Sequence, residues 1–232
     1  MTYLFTIDVL DQERSSFGCE SVDFIVAGYT GRDELAVQEH IDELAAIGVA
    51  PPQQVPMLYE LSSDLISTSE AIAVAGGMAT GEVEPVLIQH GGRWYLGIGS
   101  DLTDRDLERD DVKTSKAACP KPMGKTAVLL PDDVADGGFD AVWDLVVANS
   151  YVDDELYQSG SLASLRRPSD IIQRIIGAGF AGDSTERDVV VFTGTIPLVG
   201  GKFREGQTWR GTLTLPDGRV INHEHNFVRT AQ

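Results

Sequence analysis

Basic residues are scarce in this chain. Eighteen of them face 36 acidic ones across 232 residues, for a formal charge of -18. Such a field repels nucleic acid and anionic lipid, so neither is expected as a partner. It reads first as a solvated acidic surface. Cysteine is nearly absent too. Cys19 and Cys119 lie far apart and form no C-x-x-C pair, which argues against a disulfide framework and against a thiolate zinc site. No apolar run approaches the ~18 residues that cross a bilayer. The opening MTYLFTIDVLDQE has no basic segment and meets Asp8 early, so it does not read as a signal peptide. The expectation is a soluble, cytoplasmic protein. A hydrophobic content of 42% can build one substantial core. We therefore expect a single domain over 1–232, with about 1–23 as an N-terminal extension packed on it.

Where lysine does occur, it is concentrated. Of five in the chain, Lys113, Lys116, Lys121 and Lys125 fall inside DVKTSKAACPKPMGK, and Lys202 stands alone. The cluster follows the acid-rich DRDLERDD. It reads either as local charge balance or as an anion-binding loop beside a cation site.

Strand patterns predominate along the chain. Residues 3–9, 21–28, MLYEL, SEAIAVAGG and TAVLL are rich in β-branched and apolar residues. GRDELAVQEHIDELAAIG places Val37, Ile41, Leu44, Ala45 and Ile47 at helical spacing, and Gly48 ends the pattern. PSDIIQRIIGAG gathers Ile171, Ile172, Ile175 and Ile176 on one helical face. The lysine segment, with two prolines, is expected to be loop, and 104–111 an acidic helix-like turn. FDAVWDLVVANSYVDDELYQSG is expected to be a long strand or strand pair, and TWRGTLTL with RVINHEHNF a hairpin about PDG. Helices that are few and irregularly placed predict an α+β, mostly β fold, not a doubly wound one.

Between Gly81 and Asp106 runs GEVEPVLIQHGGRWYLGIGSDLTDRD. A two-residue turn at Gly91-Gly92 places Glu82 across from Asp101, with Glu84 on the same face one pleat along. Cross-strand Cβ atoms are ~5 Å apart, so like charges there destabilise the sheet. Either a cation lies among these carboxylates, or their pKa values rise, or the acids face water at a sheet edge. An all-oxygen set of this kind suits Mg2+ or Mn2+, with Ca2+ also within range. His223 and His225 share one strand face in NHEHNF, but no further ligand follows at useful spacing, so they read as strand residues. His90 belongs to the hairpin turn.

The stretch SDLTDRDLE resembles the NDxSARDxQ segment of the fumarylacetoacetate hydrolase superfamily, whose E-x-E pair is similar to Glu82-Val83-Glu84. Other pieces resemble that family in its order: His40 and Glu43 for its H-x-x-E, and Lys116, with Lys121 as fallback, for its lysine before a P-x-G-like loop. Gln158-Ser159-Gly160-Ser161 and Thr193-Gly194-Thr195-Ile196-Pro197 follow. The resemblance runs from about residue 24 to the C-terminus. It departs at Asp104 (alanine in the family), at Lys116-Ala117-Ala118-Cys119, and at Glu60, where a lysine is usual. An outlying bacterial branch is implied.

The resemblance implies a fold of mixed β-sheets, a β-roll with a few short helices, and a homodimer. It implies a metal site of Glu82, Glu84 and Asp101, and catalytic roles for His40, Glu43 and Lys116. Arg105, Lys121, Gln158 and Thr195 become candidate substrate-binding residues. For Arg105, pairing with nearby acids is the simpler role. The implied activity is metal-dependent hydrolytic C–C cleavage in a small 2-oxo or β-diketo acid, of the acylpyruvate or fumarylacetoacetate type. Alternatives are decarboxylation, tautomerisation or dehydration of a 2-oxo acid, or a non-catalytic ligand-binding protein. In such chemistry the dyad of His40 and Glu43 activates water, and Lys116 neutralises a substrate carboxylate or oxyanion.

Overall fold

The computed structural model describes residues 3–10, 15–46, 48–75, 78–181 and 187–230. Among the described residues, strand far outweighs helix. An eight-stranded sheet runs in the order β2 (Ser15–Cys19), β1 (Phe5–Val9), β12 (Thr126–Leu129), β9 (Arg93–Ser100), β8 (Val83–His90), β15 (Asp188–Phe192), β3 (Val22–Gly28), β4 (Met57–Leu61). A five-stranded sheet has the order β14 (Glu155–Ser161), β13 (Val147–Val152), β16 (Thr208–Thr214), β17 (Val220–Thr230), β6 (Ala71–Ala75). Two short ladders join β10 (Thr103–Asp104) to β7 (Ala79–Thr80), and β11 (Lys121–Pro122) to β5 (Ile66–Ser67). The helices are α1 (Glu34–Ala46), α2 (Val112–Ala117), α3 (Asp140–Trp143) and α4 (Pro168–Gly177). The fold is thus mostly β, as the residue patterns imply, and its larger sheets are mixed, as the resemblance implies. No helix among the described residues is long and apolar enough to cross a membrane.

Burial explains how the sheets are arranged. Strand β8 is buried on both faces. Val83 and Leu87 point into the larger cluster, with Trp143, Trp209, Leu213 and the isoleucines of α4. Val86 and Ile88 point into a second cluster. That second cluster takes Phe5, Ile7 and Val9 from β1 and Phe24, Val26, Tyr59 and Leu61 from β3 and β4. Strands near opposite ends of the sheet therefore share one core, which requires the sheet to curl upon itself. The five-stranded sheet and α4 cover its outer face. Ile171, Ile172 and Ile175 are fully buried there, worth about 1.5–3 kcal/mol each.

Some local expectations needed correction. The lysine segment is not all loop, because α2 forms across it. Asp111 caps this helix by accepting the Thr114 N–H at 2.7 Å, and both prolines come after its last residue. The stretch from Phe139 is not continuous strand either. Phe139, Trp143 and Val146 are buried at helical spacing, and α3 precedes the β13–β14 hairpin. Strand β2 lies in a stretch whose sequence pattern assigns no element. On α1 only Ile41 is buried, so the expected stripe packs weakly. Ile47 lies outside the described residues, as do Gly76 and Gly77. On α4, Ile176 faces out.

Candidate active site

The hairpin takes the register that its glycines dictate. Val83 pairs with Ser100 and His90 with Arg93. Gly91 and Gly92 adopt φ of 55° and 76°, which a two-residue hairpin turn of this kind requires and other residues resist. Beyond the ladder, the Asp101 N–H donates to the Glu82 carbonyl at 3.0 Å. Glu82 and Asp101 are therefore opposite one another. Pro85, without an N–H, sits one residue past Val86, the last β15 partner on β8. Its carbonyl instead receives the Thr193 N–H and hydroxyl, at 3.1 and 2.9 Å.

The protein's own cations answer these carboxylates. Arg105 Nη2 donates to Glu82 Oε2 at 2.6 Å, Nη1 to Glu108 Oε2 at 3.0 Å, and Nε to the Thr80 hydroxyl at 2.8 Å. The Phe203 ring lies 3.8 Å from the guanidinium carbon, a cation–π contact. Burial works against this charge, but Glu82 and Glu108 hold the Arg105 pKa above its ordinary value. Pairing thus accounts for every direction in which Arg105 points.

Asp101 is almost fully buried and takes both ammonium groups of the lysine segment. Lys116 Nζ donates to its Oδ2, and Lys121 Nζ lies 2.9 Å from its Oδ1. Burial alone would raise the Asp101 pKa, yet the two lysines bring it below the ordinary range. Lys116 is likewise opposed by burial, and Asp101 and Glu84 raise it. Lys121 is wholly enclosed and goes the other way. Burial, together with repulsion from Lys116, outweighs Asp101 and lowers it. Glu84, 3% exposed, is pushed well above the carboxylate range by burial and then by Asp101. Its Oε2 accepts the Gly194 N–H at 2.9 Å. Gly194 has φ of 100°, and a Cβ there would lie 1.7 Å from the Thr30 hydroxyl oxygen. Only glycine delivers this N–H.

His40 and Glu43 lie outside this buried group. Both face solvent on α1, at 61% and 79% side-chain exposure, with His40 Nδ1 4.0 Å from Glu43 Oε2. Tyr29 lies between the two regions. Its ring centroid is 6.5 Å from that of His40, it bonds to Tyr59, and it feels the charges of Glu108 and Lys116. Tyr29 has φ of 58°, a strained value for a bulky residue. Burial pushes the Tyr59 hydroxyl up to about 12. Tyr29, Tyr59 and Thr80 lie outside the sequence motifs, and nothing in their local pattern marks them. Glu108 closes the SDLTDRDLE motif without an assigned role, and Phe203 reaches Arg105 from a distant segment.

Gln158 and Thr195 form a clasp on Val83, the residue before Glu84. The Gln158 Oε1 accepts from Val83 N–H at 2.8 Å and Ser150 Oγ at 2.9 Å. Its Nε2 donates to Thr195 Oγ1 at 2.8 Å and to the Ile196 carbonyl at 2.7 Å. The Thr195 hydroxyl donates to the Val83 carbonyl at 2.8 Å. Both side chains are thereby spent on the protein, tying β8 and β14 to the TGTIP loop. Gln158→Leu strands several buried polar groups at once. It should lower the unfolding free energy by about 3 kcal/mol in urea titrations.

Other singled-out residues have structural surroundings. Asp104 Oδ1 accepts the N–H groups of Asp106 and Leu107 at 3.0 and 3.2 Å, so it starts the turn that follows. His223 and His225 stack beside Trp209, and burial pushes them down to about 4 and about 3. They are neutral strand residues. His90 ends β8 and contacts Asp188.

The donors present fit a hard divalent cation. Glu82, Glu84 and Asp101 offer oxygen alone. Asp101 Oδ1 is buried against the Lys121 ammonium, whose three N–H groups also reach the Leu102 carbonyl; a carboxylate oxygen accepts twice, so Oδ1 has a second lone pair to offer. The three carboxylates do not converge as tightly as a bound cation would hold them. Among the described residues, only Cys19, His90 and Asp188 bring three ligand atoms within 4.8 Å of one another.

Comparison with known proteins agrees with this architecture. The fold is similar to a protein from Oleispira antarctica assigned, by name alone, as a fumarylacetoacetate isomerase/hydrolase (TM-score 0.63, 17% identity, 95% of this chain and 98% of that one). It is similar to yeast ynq8, a fumarylacetoacetate hydrolase family protein (TM-score 0.59, 14% identity, 90% and 94%). It is also similar to 2-keto-3-deoxyarabinonate dehydratase (TM-score 0.57, 17% identity, 90% and 74%). No curated protein sequence matches the chain at a significant level. The family model described as protein of unknown function (DUF2848) matches residues 27–225, so the chain belongs to that family, built on the fold of the fumarylacetoacetate hydrolase proteins.

Proposed function

We propose that this chain is a divalent-cation-dependent enzyme that hydrolyses a C–C bond in a small 2-oxo or β-diketo acid. The observation that carries this reading is the pair of buried lysines converging on one buried carboxylate. Two ammonium groups against Asp101 leave local positive charge, suited to an anionic substrate. Glu82 and Glu108 against Arg105 leave local negative charge beside it, suited to a cation. Glu82, Glu84 and Asp101 would hold Mg2+ or Mn2+, which supplies Lewis-acid polarisation of two substrate oxygens. Lys116, with 11% of its side chain exposed, is the ammonium that a substrate carboxylate can reach. Lys121 keeps Asp101 ionised. Arg105 orients Glu82, and the clasp of Gln158 and Thr195 positions the loop that carries Gly194.

The dyad of His40 and Glu43 would activate water, and for that α1 has to approach Lys116. Its single buried side chain, Ile41, is a small anchor to give up. The exposed position of the dyad also favours a second reading: decarboxylation, tautomerisation or dehydration of a 2-oxo acid, in which no water attacks. A homodimer is part of the proposal. Leu145, Val147 and Leu156, all exposed on or beside the β13–β14 hairpin, provide apolar surface for it.

The test is calorimetric titration with oxalate, a planar dianion that mimics an enolate, with and without Mg2+ or Mn2+. Oxalate should bind only with the metal, and binding should weaken at least tenfold in Glu84→Ala. Oxalate binding that ignores the metal would remove the proposed site. Acylpyruvate hydrolysis that survives in His40→Ala would remove the dyad and leave the cation site standing.

A further inference from the structure

We propose a second metal site, for a borderline cation such as Zn2+, formed by Cys19, His90 and Asp188. These residues end β2, end β8 and begin β15, and they meet at one end of the eight-stranded sheet. Their ligand atoms, one sulfur, one nitrogen and one oxygen, all lie within 4.8 Å of one another. His90 Nδ1 is 2.8 Å from Asp188 Oδ1, and the Cys19 thiol also bonds to Asp188. The ring of His90 is held by stacking on Phe17, with centroids 4.4 Å apart and planes 12° apart. The Asp188 N–H donates to the Ser21 carbonyl at 2.9 Å, which fixes the backbone of that ligand. Cys19 closes the site from inside, where it packs with Val22 and Phe5 in the second core cluster. His90 and Asp188 keep side-chain exposures of 32% and 16%, so a cation has a route in from solvent.

The donor set chooses the metal. Thiolate with imidazole and one carboxylate suits Zn2+ or Co2+ in a tetrahedral site, with water as fourth ligand. Ligands around such an ion stand about 3.5 Å apart, so His90 and Asp188, now 2.8 Å apart, separate slightly as the ion enters. Binding replaces the Cys19 S–H proton, which leaves to solvent, by a sulfur–metal bond, and a His90 that ligates through Nδ1 carries its proton on Nε2, giving up its hydrogen bond to Asp188. The hard cation proposed for Glu82, Glu84 and Asp101 is of another class. Glu84 and His90 are also six residues apart on β8, about 20 Å along a strand.

Co2+ titration of the purified chain, followed by near-ultraviolet absorbance, tests the site. One equivalent should produce a thiolate-to-cobalt charge-transfer band. The band should vanish in Cys19→Ser, and its apparent affinity should fall at least tenfold in His90→Gln. It should persist in Cys119→Ser and in Glu84→Gln, which alter the other thiol and the other site. Zn2+ in hundredfold excess over its Kd should raise the wild-type Tm by about 5 °C. No thiolate band in the wild type, or a band that survives in Cys19→Ser, overturns the proposal. If Cys19→Ser does not fold, His90→Gln decides, because its partly exposed ring can be replaced without opening the core. Unchanged cobalt affinity in that variant overturns the proposal equally.

Discussion

Asp101→Asn should lower the unfolding free energy at pH 7 by about 4 kcal/mol. Lys116 and Lys121 are both withdrawn from water, and Asp101 is the carboxylate they share. An asparagine can accept a hydrogen bond but carries no counter-charge. Removing one partner of a buried ion pair typically costs about 3–5 kcal/mol, because the remaining charge stays desolvated. Two cations compete here for one anion, so the double variant Asp101→Asn/Lys116→Met should recover part of the loss. Lys121→Met alone should cost less, since Asp101 keeps Lys116. Urea unfolding of the four proteins measures all of this. A change under about 1 kcal/mol in Asp101→Asn would show that Glu84 ionises in its place.

Glu84 should give the protein an inverse pH dependence. Its folded-state pKa is raised. Above about pH 4.3, where an unfolded glutamate has lost its proton, the folded chain still holds one. The folded state then binds more protons, so stability falls as pH rises towards the folded pKa, by up to about 1.4 kcal/mol per pH unit. Glu84→Gln removes this slope and should be the more stable protein at pH 8. Asp101 does not disturb the window. Its depressed pKa adds stability above about pH 3.9, which is lost only in stronger acid. Lys121, held below its ordinary value, acts in the opposite sense towards pH 10.4, and subtracting the two profiles cancels it. Unfolding at pH 5, 6.5 and 8 tests the sign. Equal slopes in both proteins would mean that Glu84 is ionised in the fold. A bound Mg2+ favours the carboxylate, so adding it at pH 8 should narrow the gap and release protons.

The parts of the site legible in the sequence are those made by near neighbours. A Gly-Gly turn sets the hairpin register, and register sets which residues oppose. Glu82 across from Asp101 followed from counting alone. The bias of lysine towards one segment marked the cations, because residues so rare are informative where they cluster. The side-chain directions were not legible. Asp101 could have faced a metal, water or a lysine, and α2 turns Lys116 towards it. That helix was obscured by the two prolines, which lie beyond its end. His40 and Glu43 are spaced for contact, yet the spacing says nothing about which face of α1 meets the core.

By itself, the sequence determined the mostly β class, the hairpin with its register, the order of motifs and the sign of the local charges. These depend on period-2 patterning, turn chemistry and composition, which act over a few residues. The tertiary structure alone decided that arginine and two lysines neutralise the carboxylates, that Gln158 and Thr195 are spent as a clasp, and that Cys19 meets His90 and Asp188. Apart from Arg105 with Glu108 and Gln158 with Ser150, those contacts join residues at least 15 apart in sequence. They form only once a curled sheet has brought its distant strands around a shared core.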